Sequence, residues 1–175
     1  MNSRHKAARI ALLAVAFAAG FAAPLHAAEE KADLPLRKAG HWEIKTVMDE
    51  GMGPREQKLT MCIDADMERN TAEASKQEHA AKCARYEIKK DGDATVVDSE
   101  CVFKGRKIES RTEMSGDFET VFKIKIDSTT SGSEYGKPVS VKRTIEQDGK
   151  YLGADCGDLQ AGEAMGSDGS RVMVQ

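Results

Sequence analysis

Alternation with a period of two constrains this chain more than any other feature. Phe118, Thr120, Phe122, Ile124 and Ile126 share one parity, while Glu119, Lys123, Lys125 and Asp127 share the other. Successive side chains of a strand point to opposite faces, so this segment reads as a strand with one apolar and one charged face. The pattern recurs. Trp42, Ile44, Thr46 and Met48 alternate with Glu43 and Lys45, and Leu59, Met61 and Ile63 with Lys58, Thr60 and Cys62. Ala84, Tyr86 and Ile88 alternate with charges, and Thr95-Val96-Val97 leads on to Cys101 and Phe103. Ile108, Ser110, Thr112 and Met114 follow, and Val139, Val141, Arg143 and Ile145 form one more face. Turn residues separate these runs: Gly51, Gly53 and Pro54; Asp91-Gly92; Gly105; Ser115-Gly116-Asp117; and Asp148-Gly149, before a short return at Tyr151-Leu152. Ser128 to Pro138, rich in hydroxyls and glycine, reads as a flexible loop.

One segment has a different character. Asp64 can cap a helix, Asp66 and Glu68 suit the positive end of its dipole, and Ala, Glu, Lys and Gln continue to about Lys82. These are good helix formers with few large apolar groups, so one surface helix or two short ones should lie on the sheet without forming its core. The fold class expected is mainly β: an antiparallel meander of seven or eight strands, curled into a half-barrel or small barrel, with one helical excursion after the second strand.

Arg4, Lys6 and Arg9 precede an apolar run from Ile10 to Ala23, then Pro24 and Leu25-His26-Ala27. That is the build of a cleaved secretory signal, residues 1–27, with a run too short for a stable membrane span. No cysteine sits at the cleavage site to carry a lipid anchor. Residues 28–39, charged and aperiodic, read as a flexible leader, 40–157 as a single β domain, and 158–175, rich in Gly, Ser and Asp, as a mobile tail. Three of the 26 basic residues and none of the 29 acidic ones lie in the signal, which leaves the exported chain at −6. A chain of that charge has no general attraction to nucleic acid or to an anionic membrane surface. The expected location is the periplasm, the expected state a monomer.

All four cysteines, Cys62, Cys83, Cys101 and Cys156, lie beyond the signal, and an even number in an oxidising compartment reads as two disulfides. No Cys-x-x-Cys pair suggests zinc. By parity Cys62 and Cys83 share the face opposite Leu59, Met61, Tyr86 and Ile88, which favours Cys62–Cys83 with Cys101–Cys156. Parity is least secure at strand ends, so Cys83–Cys101 with Cys62–Cys156 stays open as the alternative.

Taken together, Gly40-x-Trp42, a Met- and Gly-containing turn, Cys62 before a helix, Cys83 some twenty residues on, Asp91-Gly92 leading to Cys101, Ser115-Gly116-Asp117-Phe118 and Leu152-Gly153-x-x-Cys156 form a pattern. It resembles the exported bacterial domain-of-unknown-function family 3617, over roughly residues 38–157. Asp64-Ala65 departs from the Thr-Pro helix start frequent in such proteins. The resemblance implies export and no known activity.

Several residues invite a functional reading. Arg143, at apolar parity between Val141 and Ile145, could anchor an anionic ligand inside a curled sheet or simply snorkel at its edge. Trp42, Tyr86, Phe103, Phe118 and Phe122 could line the same interior or fill it. Met48, Met52 and Met61, with Met67 just beyond, offer thioethers suited to soft Cu(I), and His41 and His79 could add nitrogen; Met48 and Met61 also sit where core methionines belong. Gly-x-Ser-x-Gly, His-Glu-x-x-His and phosphate-cradling loops are absent from the sequence, so it reads as no enzyme and calls for no cofactor. Two functions fit: a module binding a small apolar or anionic ligand on a concave face, or a structural or interaction protein of the envelope with a filled core. Copper binding through methionine is a third.

Overall fold

A computed structural model describes residues 32–174. The expected signal peptide and the first residues of the leader lie outside that range. The elements are β1 (Gly40–Asp49), β2 (Arg55–Ile63), α1 (Ala65–Lys82), β3 (Cys83–Asp91), β4 (Ala94–Phe103), β5 (Arg106–Gly116), β6 (Val121–Glu134), β7 (Lys137–Gly153), β8 (Glu163–Gly166) and β9 (Arg171–Met173). All nine strands join one antiparallel sheet in the order β3-β4-β5-β6-β7-β1-β2-β8-β9, which is not closed into a barrel.

The strands are longer and more numerous than the local sequence signals. Residues 128–138, expected to loop, continue β6 and begin β7 around a two-residue turn at Tyr135 and Gly136, both with positive φ. Alternating hydroxyl residues lack polar contrast, but Thr129 and Thr130 still favour extended backbone. Asp148-Gly149, expected to turn, lies in the middle of β7. There the Phe122 ring lies on the glycine, and a Cβ would sit 2.0 Å from that ring. Here the glycine permits a close approach between strands and makes no bend. The expected mobile tail instead supplies β8 and β9, with β8 paired to β2.

The leader is also fastened. The Lys38 N–H bonds the Phe118 carbonyl, the Lys38 carbonyl accepts from Trp42 Nε1 at 2.8 Å, and the Ala32 N–H bonds Ile88 at the β3 edge. Leu34 packs on the core.

Trp42, Ile44, Met61, Ile63, Val97, Met114, Phe118, Phe122 and Ala164 form that core. Trp42 is fully buried between Phe122 and Tyr151, each ring 5.4 Å away. Burying each large side chain contributes about 2–3 kcal/mol.

Asp64 caps α1 as its position implies, accepting from the N–H groups of Asp66 and Met67. The 18-residue helix spans about 27 Å. That is close to the six strand spacings, about 29 Å, between β2 and β3. The helix thus links β2 to the edge strand β3, six positions away in the sheet order, and packs over β3 and β4.

Cysteine pairing is Cys62–Cys156 and Cys83–Cys101, the second of the two arrangements open from sequence. Cys62–Cys83 and Cys101–Cys156 are not formed. A register shift between Cys83 and Arg85 turns Cys83 onto the face of Tyr86, directly opposite Cys101. Cys62, opposite His41, stays on the other face, just before the start of α1.

Candidate functional site

Strand pairing puts residues directly opposite one another on the same face, so the apolar face can be followed strand by strand. At the end holding Trp42 it is sealed. Towards the opposite end run Ile108 of β5, Ile126 of β6, Ile145 of β7 and Met48 of β1, all half-buried. Between them lies a polar row: Ser99 and Ser110, joined hydroxyl to hydroxyl at 2.8 Å, then Ser128 and Arg143.

Helix α1 packs over β3 and β4 at one side of this face. It brings little to bury. Its only buried residue is Glu68, whose two carboxylate oxygens accept from Arg37 Nε and Nη2 at 2.8 and 2.7 Å, with the Arg37 N–H at 3.1 Å. Lys76 reaches Asp33 at 2.9 Å. The leader and the Cys83–Cys101 disulfide thus hold the helix at its flanks, in place of an apolar seam.

Beneath its C-terminal half remains a cleft of about 240 Å³. Its walls are Phe103, Val102 and Ile108, with Ser99 and Ser110 behind and the Cys83–Cys101 disulfide at one side. His79 closes the inner end, stacked on Tyr86 at 4.8 Å while its Nδ1 donates to the Ser75 carbonyl at 2.6 Å. Burial holds the Tyr86 phenol above its ordinary pKa, partly offset by a hydrogen bond from Ser75. At the mouth, Lys82 and Lys104 stand 5.9 and 5.3 Å from the centre of the Phe103 ring. Glu78 also lines the cleft and pairs with Lys82 at 2.6 Å, so the cleft offers apolar contact, the bonded serine pair and rim groups of both charges.

The residues singled out from sequence separate into different places. Trp42 and Phe122 belong to the buried core. Tyr86 is half-buried under the helix, next to the cleft. Arg143 has the expected parity, but the sheet end leaves it exposed, where its Nε and Nη2 bind Glu50 Oε1. Arg55 takes the other Glu50 oxygen. That pairing neutralises Arg143 at the rim of the sheet.

The methionines do not converge. Met61 stands opposite Trp42 and Met48 opposite Arg55, six residues along β1, or about 20 Å. Met52 projects from the β1–β2 turn, 98% exposed. His41 and His79 lie on β1 and α1, and no cluster of three His, Cys, Asp or Glu suited to a metal occurs among the described residues. Sequence reading missed Val102, Ser99, Ser110, His79 and Lys82 as one group. The Ser99, Cys101 and Phe103 parity was available, but nothing local places α1 above it.

The geometry defines an open, antiparallel β-sheet protein with a helical strap over part of its apolar face. The chain belongs to a family of proteins of unknown function, DUF3617, whose sequence pattern matches residues 37–156. No curated protein and no solved structure matches the chain. Its two disulfides fit an extracytoplasmic protein, and no described helix is long and apolar enough to cross a membrane.

Proposed function

We propose that this is a periplasmic, non-enzymatic module that binds a small apolar ligand in the cleft between α1 and strands β3–β5. The observation carrying this reading is the mismatch between helix and sheet. An apolar face runs beneath a helix whose buried side chain is a glutamate, so the helix covers the sheet without sealing it. A group with an apolar body would complete the contact that α1 leaves unmade, and burial of its surface would contribute roughly 25 cal/mol per Å² before ordering costs. Lys82 is paired with Glu78, which leaves Lys104, beside Phe103, as the cation nearest the mouth for a ligand whose polar end is anionic.

Native mass spectrometry of the exported protein tests the proposal. An added discrete mass that vanishes on denaturation, and returns on incubation with a fatty acid, supports it. A bare mass that no apolar compound increases goes against it. A second reading, a protein-interaction module with a filled core, draws on the β7 edge. Beyond Asp49, where β1 ends opposite Thr144, residues Lys137–Arg143 have a strand on one side only.

A further inference from the structure

Three hairpin turns lie at the same end of the sheet, because the strands run antiparallel: residues 50–54, 104–105 and 135–136. An exposed apolar side chain lies in or beside each. Met52 is 98% exposed, Tyr135 100% and Phe103 49%. Single exposed apolar residues are ordinary on any surface. Three at successive tips, at one end of the sheet with the β6–β7 tip projecting furthest, are a different observation.

Cations gather at one of these tips, although Glu50 and Glu134 stand on the other two. Residues 103–107, Phe-Lys-Gly-Arg-Lys, hold three cations and no anion. Lys104, Arg106 and Lys137 make no ion pair among the described residues. At the opposite end, the turns carry Asp91 with Asp93, and Asp117 with Glu119. Net negative charge on the whole chain opposes general attraction to an anionic surface. A molecule polarised in this way is nevertheless oriented by such a surface, cationic tips first.

We propose that this rim docks on an anionic lipid bilayer, with Met52, Phe103 and Tyr135 entering the headgroup layer and Lys104, Arg106 and Lys137 meeting lipid phosphates. Aromatic side chains with a polar end settle at that depth, and long cationic side chains reach from apolar surroundings to the phosphate plane. Charge near an anionic leaflet strengthens attachment by roughly fivefold per basic residue and acts within about one Debye length. The mouth of the cleft, at Phe103, then faces the lipid.

The test is co-sedimentation of the disulfide-bonded protein, purified after export without residues 1–27, with two kinds of vesicle. One contains equal parts phosphatidylglycerol and phosphatidylcholine; the other is phosphatidylcholine alone. The protein should sediment with the first and not the second, and salt should release it. Lys104→Gln with Arg106→Gln should weaken binding by roughly an order of magnitude or more, Met52→Ser with Tyr135→Ser should also weaken it, and Asp93→Asn should not. All these positions are exposed, in turns or at a strand end, and circular dichroism checks that each variant is folded. Failure to sediment, equal binding to both vesicles, or unchanged binding of the Lys104/Arg106 variant would overturn the proposal.

Discussion

Glu68 and Arg37 are joined through both carboxylate oxygens, so the buried charge of α1 is satisfied by the leader and not by the sheet. The attachment is ionic, with Arg37 Cζ 5.8 Å from the centre of the Phe122 ring. A strap held this way can lift without exposing an apolar helix face, which suits a cover over a binding cleft.

Removing one partner leaves the other charge half-buried and unpaired. Arg37→Ala and Glu68→Ala should each lower stability by about 2–3 kcal/mol, and the double variant by clearly less than the sum. Urea unfolding measures this, and hydrogen exchange should show faster opening of residues 65–82 in each variant.

Phe122 lies over Gly149 with no space for a methyl group. Gly149→Ala should force the ring from its place beside Trp42 and destabilise the fold by about 2–4 kcal/mol. Near-ultraviolet circular dichroism should report the loss of the Trp42 environment.

The disulfides differ in the loop they close. Cys62–Cys156 spans 94 residues and Cys83–Cys101 spans 18. In the chain-entropy picture, serine replacement of the first pair should cost about 4–5 kcal/mol and of the second about 3. Peptide mapping without reduction should recover these two linkages; a Cys62–Cys83 peptide would contradict this pairing.

Asp117 organises the turn between β5 and β6. Its carboxylate accepts from the Thr120 hydroxyl and from the N–H groups of Val121, Thr120 and Glu119, which hold its pKa well below the usual carboxylate range. Because the folded value lies below the unfolded one, this stabilisation is complete above about pH 4 and fades as pH falls further. Asp117→Asn should lower the melting temperature at neutral pH and flatten the acid limb of its pH profile below pH 4.

The local vocabulary of the fold was legible in the sequence, and its long-range grammar was not. Phe122, Ile124 and Ile126 announce a strand because apolar and charged residues alternate, and Asp64 announces a helix start because its side chain can accept the free N–H groups. Residues 128–138 lack that contrast, so their strands were invisible. Gly149 signals a turn locally, although its cause is an aromatic ring on the next strand. Arg143 had the right parity, but its exposure depends on where β1 stops. The cleft was harder still. It exists because α1 arrives over β3 and β4, a result of which strands pair, and no residue near His79 or Phe103 encodes that alone.

Titration with a fluorescent fatty acid, comparing the protein with Ile108→Asp, addresses the cleft most directly. Ile108 is half-buried in its wall, and a carboxylate there should repel both an apolar body and an anionic end. Val172→Asp, on the exposed β9 edge, is the control. Saturable binding that is at least tenfold weaker in Ile108→Asp and unchanged in Val172→Asp is the expected result. Absence of saturable binding to the unaltered protein, or equal affinity in Ile108→Asp, would contradict a ligand site beneath α1.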